Sequence, residues 1–397
     1  MRWFAIFPDL PIAVLIVLAQ LASAMLSSGH SDLAGAYQAL VQWDGYWFGS
    51  IVENGYDVPI EQTTDTPGNS AFFPGYPIAV RAMIATTGWP VHFALPATAQ
   101  LSCVIFWWGL LTLMRCHKVV ACWRLLALGL FVCHPCAFFL VASYSESQFL
   151  AAVIWFVIFC QRPGTSGFVA AIVCGVVLTG TRTVGLPLVV YPLVQWSLDQ
   201  SRNKVGFRRA VVITILSCLG FVAYAIYLQI AHGHWNAFTH THRIGWNVQP
   251  DMLVFFHLET YSHKYVEIID CHKDIGALNR MAFVLTLAHF MVLIMLEVVS
   301  LLRGIPGYRV RLPLLYLAFA LFVIPCTTHI ARGYGSMARL ALAWHALMPV
   351  IMAHHLQIGA LKQNRFWVVP IIIGGAFWGL WVQWPTVCKY TSGFFVG

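Results

Sequence analysis

A carboxylate with a functional role is set apart from the solvated acids of an ordinary surface, and Asp44 is set apart by its neighbours. It stands in Trp43-Asp44-Gly45-Tyr46-Trp47-Phe48, and Leu40, Trp43, Trp47, Phe48 and Ile51 recur at a helical spacing that would lay one apolar face on a membrane surface. An aspartate among such rings loses hydration that a loop aspartate keeps. The spacing leaves two readings open: a catalytic carboxylate, or a capping or solvated aspartate in an interfacial aromatic belt. The cations that could act with it are Arg182, Arg332 and Arg339. A planar guanidinium pairs bidentately with phosphate and keeps its charge at low dielectric, so each suits a phosphate ligand. An arginine snorkelling from a span end is the other reading of each. Glu146, after Tyr144 and Ser145, either orients an arginine, contacts a ligand, or is a solvated helix-terminal acid.

Histidines crowd one segment, with His232, His234, His240 and His242 followed by His257, His263 and His272, a density that can bind zinc. Against a metal stand the lack of H-E-x-x-H, of paired C-x-x-C and of D-x-D in the first polar segment. Cys133-His134-Pro135-Cys136 is a single C-x-x-C in an apolar stretch and reads as a proline-bent helix. No metal or other cofactor is expected.

The elements that must position these residues are membrane spans. Of the 397 residues 59% are hydrophobic and 10% charged, with mean hydropathy +0.73, whereas a soluble chain carries about a quarter charged residues. With only 23 Lys and Arg and 15 Asp and Glu, most of the surface must face lipid, which excludes an ordinary soluble enzyme. The net charge of +8 sits in short basic clusters between apolar runs, where it reports orientation, so no nucleic-acid partner is expected. Eleven cysteines, mostly in apolar runs, offer no disulfide framework.

Apolar runs at 10–26, 93–115, 120–141, 147–160, 168–180, 183–198, 210–231, 281–302, 312–331, 340–359 and 366–384 predict an all-α polytopic protein with about eleven crossings. The first is read as retained and not as a cleaved signal peptide. Residues 27–70 and 232–280 are too long and polar to be mere connections. The first holds Asp32, Asp44, Glu53, Asp57, Glu61 and Asp65 without Lys or Arg, which places it on the non-cytoplasmic side. The basic loops then fall inside, provided that Phe72–Thr87 is half-inserted or interfacial and does not cross. Under that topology W-D-G-Y-W-F (43–48), A-F-F-P-G-Y-P (71–77), S-Y-S-E-S (143–147), T-R-T-V-G (181–185), H-T-H-R (240–243) and G-S-M-A-R (335–339) all gather on the outer face, as a composite site would require.

These stretches carry a resemblance. W-D-G-Y-W-F with Gly55-Tyr56, then A-F-F-P-G-Y-P, A-S-Y-S-E-S (142–147) and T-R-T-V-G-L-P (181–187) resemble, in order, the motif series of the PIG-V family, the second mannosyltransferase of glycosylphosphatidylinositol-anchor assembly and its prokaryotic relatives. G-H-W-N-A-F-T-H-T-H-R-I-G-W (233–246) is similar to the family's second long outer loop, and S-M-A-R (336–339) to its late segment. The resemblance implies one GT-C-type transmembrane domain over 1–397, with interfacial helices in both outer loops. It implies transfer of mannose from a polyprenyl (dolichyl) phosphate donor to a lipid-linked or glycolipid acceptor, on an endoplasmic-reticulum lumenal or periplasmic face. By the same likeness Asp44 is the general base, Arg182, Arg339, Arg332 and His240 meet the donor phosphate, and Trp43, Tyr46, Trp47, Tyr76, Tyr144, Glu146, His242 and Trp246 contact substrate. A small accessory membrane subunit is left open.

Two rivals stand beside it. A transporter or flippase for a lipid-linked or anionic substrate would show inverted repeats and broken helices near the midplane, and a structural subunit would need no desolvated carboxylate. The discriminating expectation is that Asp44, Arg182 and Arg339 converge on one cavity with a side opening to lipid.

Overall fold

The computed structural model describes residues 9–59, 67–199, 203–246, 248, 273–329, 336–357, 361–362, 365–394 and 396. All regular structure among them is helical: α1 (Leu10–Leu26), α2 (Leu33–Gln38), α3 (Asp44–Asn54), α4 (Gly75–Thr87), α5 (Val91–Cys116), α6 (Ala121–Val132), α7 (Glu146–Cys160), α8 (Gly164–Thr181), α9 (Gly185–Leu188), α10 (Tyr191–Ser197), α11 (Lys204–Ser217), α12 (Leu219–His232), α13 (Ala237–His240), α14 (Lys273–Leu302), α15 (Tyr308–His329), α16 (Met337–His345), α17 (Met348–Gln357) and α18 (Arg365–Thr391). Six stretches are long and apolar enough to cross a membrane: α5, α8, the nearly continuous α11–α12, the Met281–Leu302 part of α14, Tyr308–Pro325 of α15, and Phe366–Thr391 of α18. α1, α6 and α7 are shorter apolar helices. The chain is thus an all-helical protein with the makings of a multi-pass membrane protein.

Three runs expected to cross as single helices are interrupted, each at a proline. α6 stops at Val132 because Pro135 lacks an N–H and disfavours helical geometry at His134. The His134 ring nitrogen Nδ1 accepts from the Cys136 N–H at 3.1 Å, and the chain resumes as a 3-10 turn at Ala137–Leu140. The C-H-P-C stretch therefore ends a helix and does not bend one. The 183–198 run divides into α9 and α10, punctuated by Pro187 and Pro192, and the 340–359 run into α16 and α17, with Pro349 in the first turn of α17. Helix α4 has 13 residues and at 1.5 Å per residue spans about 20 Å, short of a bilayer core of ~30 Å.

At the centre lies α7, apolar all round from Phe149 onward and buried from Glu146 to Ile158 except at the half-buried Gln148, as such a helix must be. It packs between α5 and α8, with Trp155 donating to the Ile105 carbonyl at 3.0 Å and Ser147 to the Ala99 carbonyl at 2.9 Å. α1 joins through Gln20, whose side-chain oxygen accepts from the Trp107 indole at 3.0 Å.

The second half is centred on α14, α15 and α16, where Phe290, Phe322 and Trp344 pack together. There Arg311 donates to both oxygens of Glu297 (2.6 and 3.1 Å) and to the Pro306 carbonyl (3.1 Å), and His355 approaches the same carboxylate at 3.3 Å. Both charges are buried, so the pair is a strong local constraint even where its net contribution is small. Arg311→Met alone is expected to destabilise by about 3–5 kcal/mol, because it strands Glu297. The double change Arg311→Met with Glu297→Leu should recover most of the loss, and thermal midpoints in detergent that fall equally for both would refute this account.

Candidate functional site

Four charged residues from four helices meet at one end of the bundle. Arg339 Nη1 lies 2.5 Å from Asp44 Oδ2, Arg339 Nε lies 3.4 Å from Glu146 Oε1, and Arg182 Nη1 lies 2.9 Å from the same Glu146 oxygen. The Arg339 guanidinium also covers the Tyr144 ring at 4.9 Å and the Phe139 ring at 5.7 Å, and Arg182 covers Phe149 at 5.8 Å. Burial, with Asp44 adding to it, pushes the Tyr144 phenol above its ordinary value, so this ring stays neutral beneath the cation.

The local sequence explains the meeting. The Leu40 carbonyl accepts from the Ser143 N–H at 3.1 Å and from the Tyr390 hydroxyl at 3.0 Å, which ties the start of α3 to the turn before α7 and to the end of α18. A Cβ at Gly45 would lie 3.1 Å from Ser143 Cβ and 3.3 Å from its carbonyl oxygen, so a glycine beside Asp44 lets the two turns touch. Between them Trp43 adopts φ 51° and ψ −107°, a conformation that costs a bulky residue roughly 1–3 kcal/mol and is held by a Gly45 N–H to Gln42 carbonyl bond of 2.8 Å. At Gly75 a Cβ would lie 2.5 Å from Thr181 Oγ1 and 2.9 Å from the Gly180 carbonyl oxygen, so the F-F-P-G-Y turn seats on the end of α8 next to Arg182. Gln148, one half-turn beyond Glu146, donates to the Gly75 carbonyl at 3.0 Å.

Helix polarity decides which of these charges sit comfortably. Asp44 and Glu146 occupy first turns, where exposed N–H groups favour anions, and Arg182 caps the C-terminus of α8, where carbonyls favour a cation. Arg339, in the first turn of α16, sits at the unfavourable end and depends on the two carboxylates and two rings. Exposure divides the four differently: Glu146 and Arg339 side chains are 5% and 8% exposed, Asp44 and Arg182 22% and 24%. A ligand can therefore touch Asp44 and Arg182, whereas Glu146 acts only through the arginines.

The other expected site residues distribute around this network. Tyr46 is exposed and donates to Gln42 at 3.1 Å. Trp43 is half-buried against the main core. Trp47, Phe72 and Trp246 form an aromatic cluster with centroids 5.4–6.0 Å apart, joining the two long polar segments, which are further linked by Ser70 and Thr241 hydroxyls at 2.6 Å. Tyr76 is fully enclosed and donates to the Leu95 carbonyl at 2.7 Å; burial gives it a packing role in place of the expected substrate contact. His242 is half-buried with Nδ1 2.8 Å from the Phe238 carbonyl oxygen, and His240 is exposed. Among the described residues neither histidine joins the ion-pair network. Arg332, His257, His263 and His272 lie outside the described residues. Among those described, no three His, Cys, Asp or Glu side chains are grouped as a metal ion requires.

Asp44, Arg182 and Arg339 thus converge, through Glu146. Two cavities lie elsewhere among the described residues. One of about 350 Å³ is an apolar groove among α5, α7 and α8, reaching from Gln148 to Arg162, and one of about 330 Å³ lies at the far end of α7. Phe139, Gln148 and Tyr390, which hold the network together, carry no sequence signal that separates them from ordinary core and helix residues. No protein-family model and no curated protein matches the chain.

The four formal charges cancel, so removing one leaves a mostly buried excess. Glu146→Gln is expected to lower stability by roughly 3 kcal/mol, and adding Arg182→Gln to restore part of it, read as thermal midpoints. An unchanged midpoint for Glu146→Gln would remove Glu146 from its central place.

Proposed function

We propose that the protein is a mannosyltransferase of the PIG-V-like, GT-C type, with about eleven crossings, two outer segments carrying interfacial helices, and its site on the non-cytoplasmic face. The donor is a polyprenyl (dolichyl) phosphate sugar and the acceptor a lipid-linked or glycolipid hydroxyl. The observation that carries this reading is the convergence of Asp44, Glu146, Arg182 and Arg339 from four separate helices, at one end of an apolar bundle.

Transfer from a lipid-linked sugar phosphate needs a base for the acceptor hydroxyl and positive charge for the departing phosphate. Phosphate is already a stable anion, so no general acid is required, unlike glycoside hydrolysis with its pair of carboxyl groups. The acceptor oxygen bonds to the sugar carbon with inversion, the bond from that carbon to the phosphate oxygen breaks, and the acceptor proton passes to Asp44. Asp44 suits that role because Arg339 holds Oδ2 while no other hydrogen bond engages the carboxylate among the described residues. Arg182, the more exposed cation, is the first phosphate ligand. Arg339 orients the base and adds its field, where preorganised charge acts on a transition state that loads charge onto phosphate. Glu146 positions both arginines.

The transport reading has one observation of its own. The apolar run made by α16 and α17 breaks after His345, whose ring lies 4.8 Å from that of His134 and 6.0 Å from that of His289, a histidine cluster at a helix break, half-buried at His134 and His345 and exposed at His289. The network of Asp44, Glu146, Arg182 and Arg339 stands at helix ends and does not include this break, which favours transfer.

Purified protein given polyprenyl-phosphate mannose and a panel of acceptor lipids should yield a mannosylated lipid. Asp44→Asn should lower turnover by about 10²–10⁴ with donor binding intact, and Arg182→Gln should raise the KM for donor. Near-normal turnover by Asp44→Asn would sink the assignment. Vectorial movement of an intact lipid-linked substrate in liposomes, with no new glycosidic bond, would establish transport instead.

A further inference from the structure

The cavity of about 330 Å³ at the far end of α7 lies where the end of α7, α10, α11 and the first turn of α15 meet. Its lining includes apolar Pro192, Leu198 and Ile213, and two half-buried arginines, Arg209 and Arg309. Each guanidinium is fixed by neutral groups. Arg209 donates to the Gly164 and Arg162 carbonyls at 3.0 and 2.7 Å, and Arg309 Nε donates to the Tyr308 hydroxyl at 3.2 Å while its guanidinium lies 5.5 Å from that ring centre. Among the described residues neither has a carboxylate within 4 Å. Asp199 also lines the cavity, so its own side chains carry one net positive charge, the complement of a single phosphodiester.

The surroundings fix the depth of the cavity. Trp196, another lining residue, packs on Phe207 at 4.8 Å and donates its indole N–H to the Asn203 carbonyl at 3.2 Å, the amphipathic aromatic arrangement found at headgroup level. Exposed Lys204, Arg208 and Arg303 stand at the same end, and basic pockets between helices there suit anionic headgroups.

We propose that this cavity binds the phosphodiester headgroup of a bilayer phospholipid, with the phosphate between Arg209 and Arg309 and the acyl chains in the surrounding lipid. The site is separate from the ion-pair network and independent of the transferase reading. It would act as a staple. Thr214 on α11 donates to the Val189 carbonyl at 3.0 Å and Tyr316 on α15 to the Pro187 carbonyl at 2.6 Å, holding the broken α9–α10 segment against both helices. A phosphate shared by Arg209 of α11 and Arg309 of α15 closes the same arrangement at the other end of that segment.

Native mass spectrometry of the full chain, extracted in mild detergent, tests this. Wild type should retain one phospholipid, Arg309→Gln should lower its occupancy about tenfold, and Lys204→Gln, a surface cation outside the cavity, should leave it unchanged. Among the described residues Arg309 bonds to its neighbour Tyr308 alone, so the variant should keep the wild-type thermal midpoint once phosphatidylglycerol is added back in excess. Equal phospholipid retention by wild type and Arg309→Gln, or an equal loss in Lys204→Gln, would overturn the proposal. So would saturable binding of glycerophosphate or inorganic phosphate by a protein that retains no phospholipid, since that marks a site for a soluble anion.

Discussion

The site end of this protein depends on a buried arginine held at the wrong end of its helix. Arg339 sits in the first turn of α16, where the backbone repels a cation, and its side chain is nearly closed off from solvent. Such a residue persists only where anions reach it from elsewhere, and both that do belong to first turns which favour them, Asp44 on α3 and Glu146 on α7. One set of contacts therefore fixes three helices at once. It also couples distant parts of the chain, since the Asp44–Arg339 pair joins residues 295 positions apart.

Those contacts in turn need backbones brought close enough for short side chains to meet. Asp44 has a short reach, so α3 must start almost in contact with the turn before α7, and Gly45 against Ser143 permits it. Gly75 does the same against Gly180 and Thr181, bringing the end of α8 and its Arg182 to the start of α7. α7 is the common wall: its first residue carries the central carboxylate, and its apolar remainder is buried between α5 and α8. A helix so fully enclosed has little freedom to tilt, so the position of Glu146 is set by packing along the whole length of the bundle.

What was legible in the sequence follows this division between local and distant causes. The scarcity of charge and the long apolar runs point to a helical chain with helices apolar enough to cross a membrane, and the motifs single out Asp44, Glu146, Arg182 and Arg339, because a carboxylate among rings and an arginine at the edge of an apolar run are local facts. The runs at 120–141, 183–198 and 340–359 were less legible. Hydropathy sums over a window and does not register that Pro135, Pro187 or Pro349 interrupts the ladder of backbone bonds. Tyr76 stands in a motif yet is a packing residue, since its burial is decided by Leu95 and Phe48, which approach from other helices. Phe139 and Tyr390 are invisible for the same reason: an aromatic in an apolar stretch looks alike whether it faces lipid, core or a guanidinium.

In the proposed transfer, the bond between Asp44 and Arg339 means that the base and the phosphate-binding charge are not independent parts. A donor phosphate reaching Arg182 adds negative charge beside a network whose formal charges already cancel, and that excess draws on Arg339, which shares the Glu146 oxygen with Arg182. Any share of Arg339 taken by the phosphate is withdrawn from Asp44. The carboxylate is then less tied when the donor is present than when it is absent, and an acceptor hydroxyl meets a more available base only after the sugar that it will attack has arrived. Glu146, least exposed of the four and in contact with both arginines, sets how far that exchange can go without either cation leaving its place.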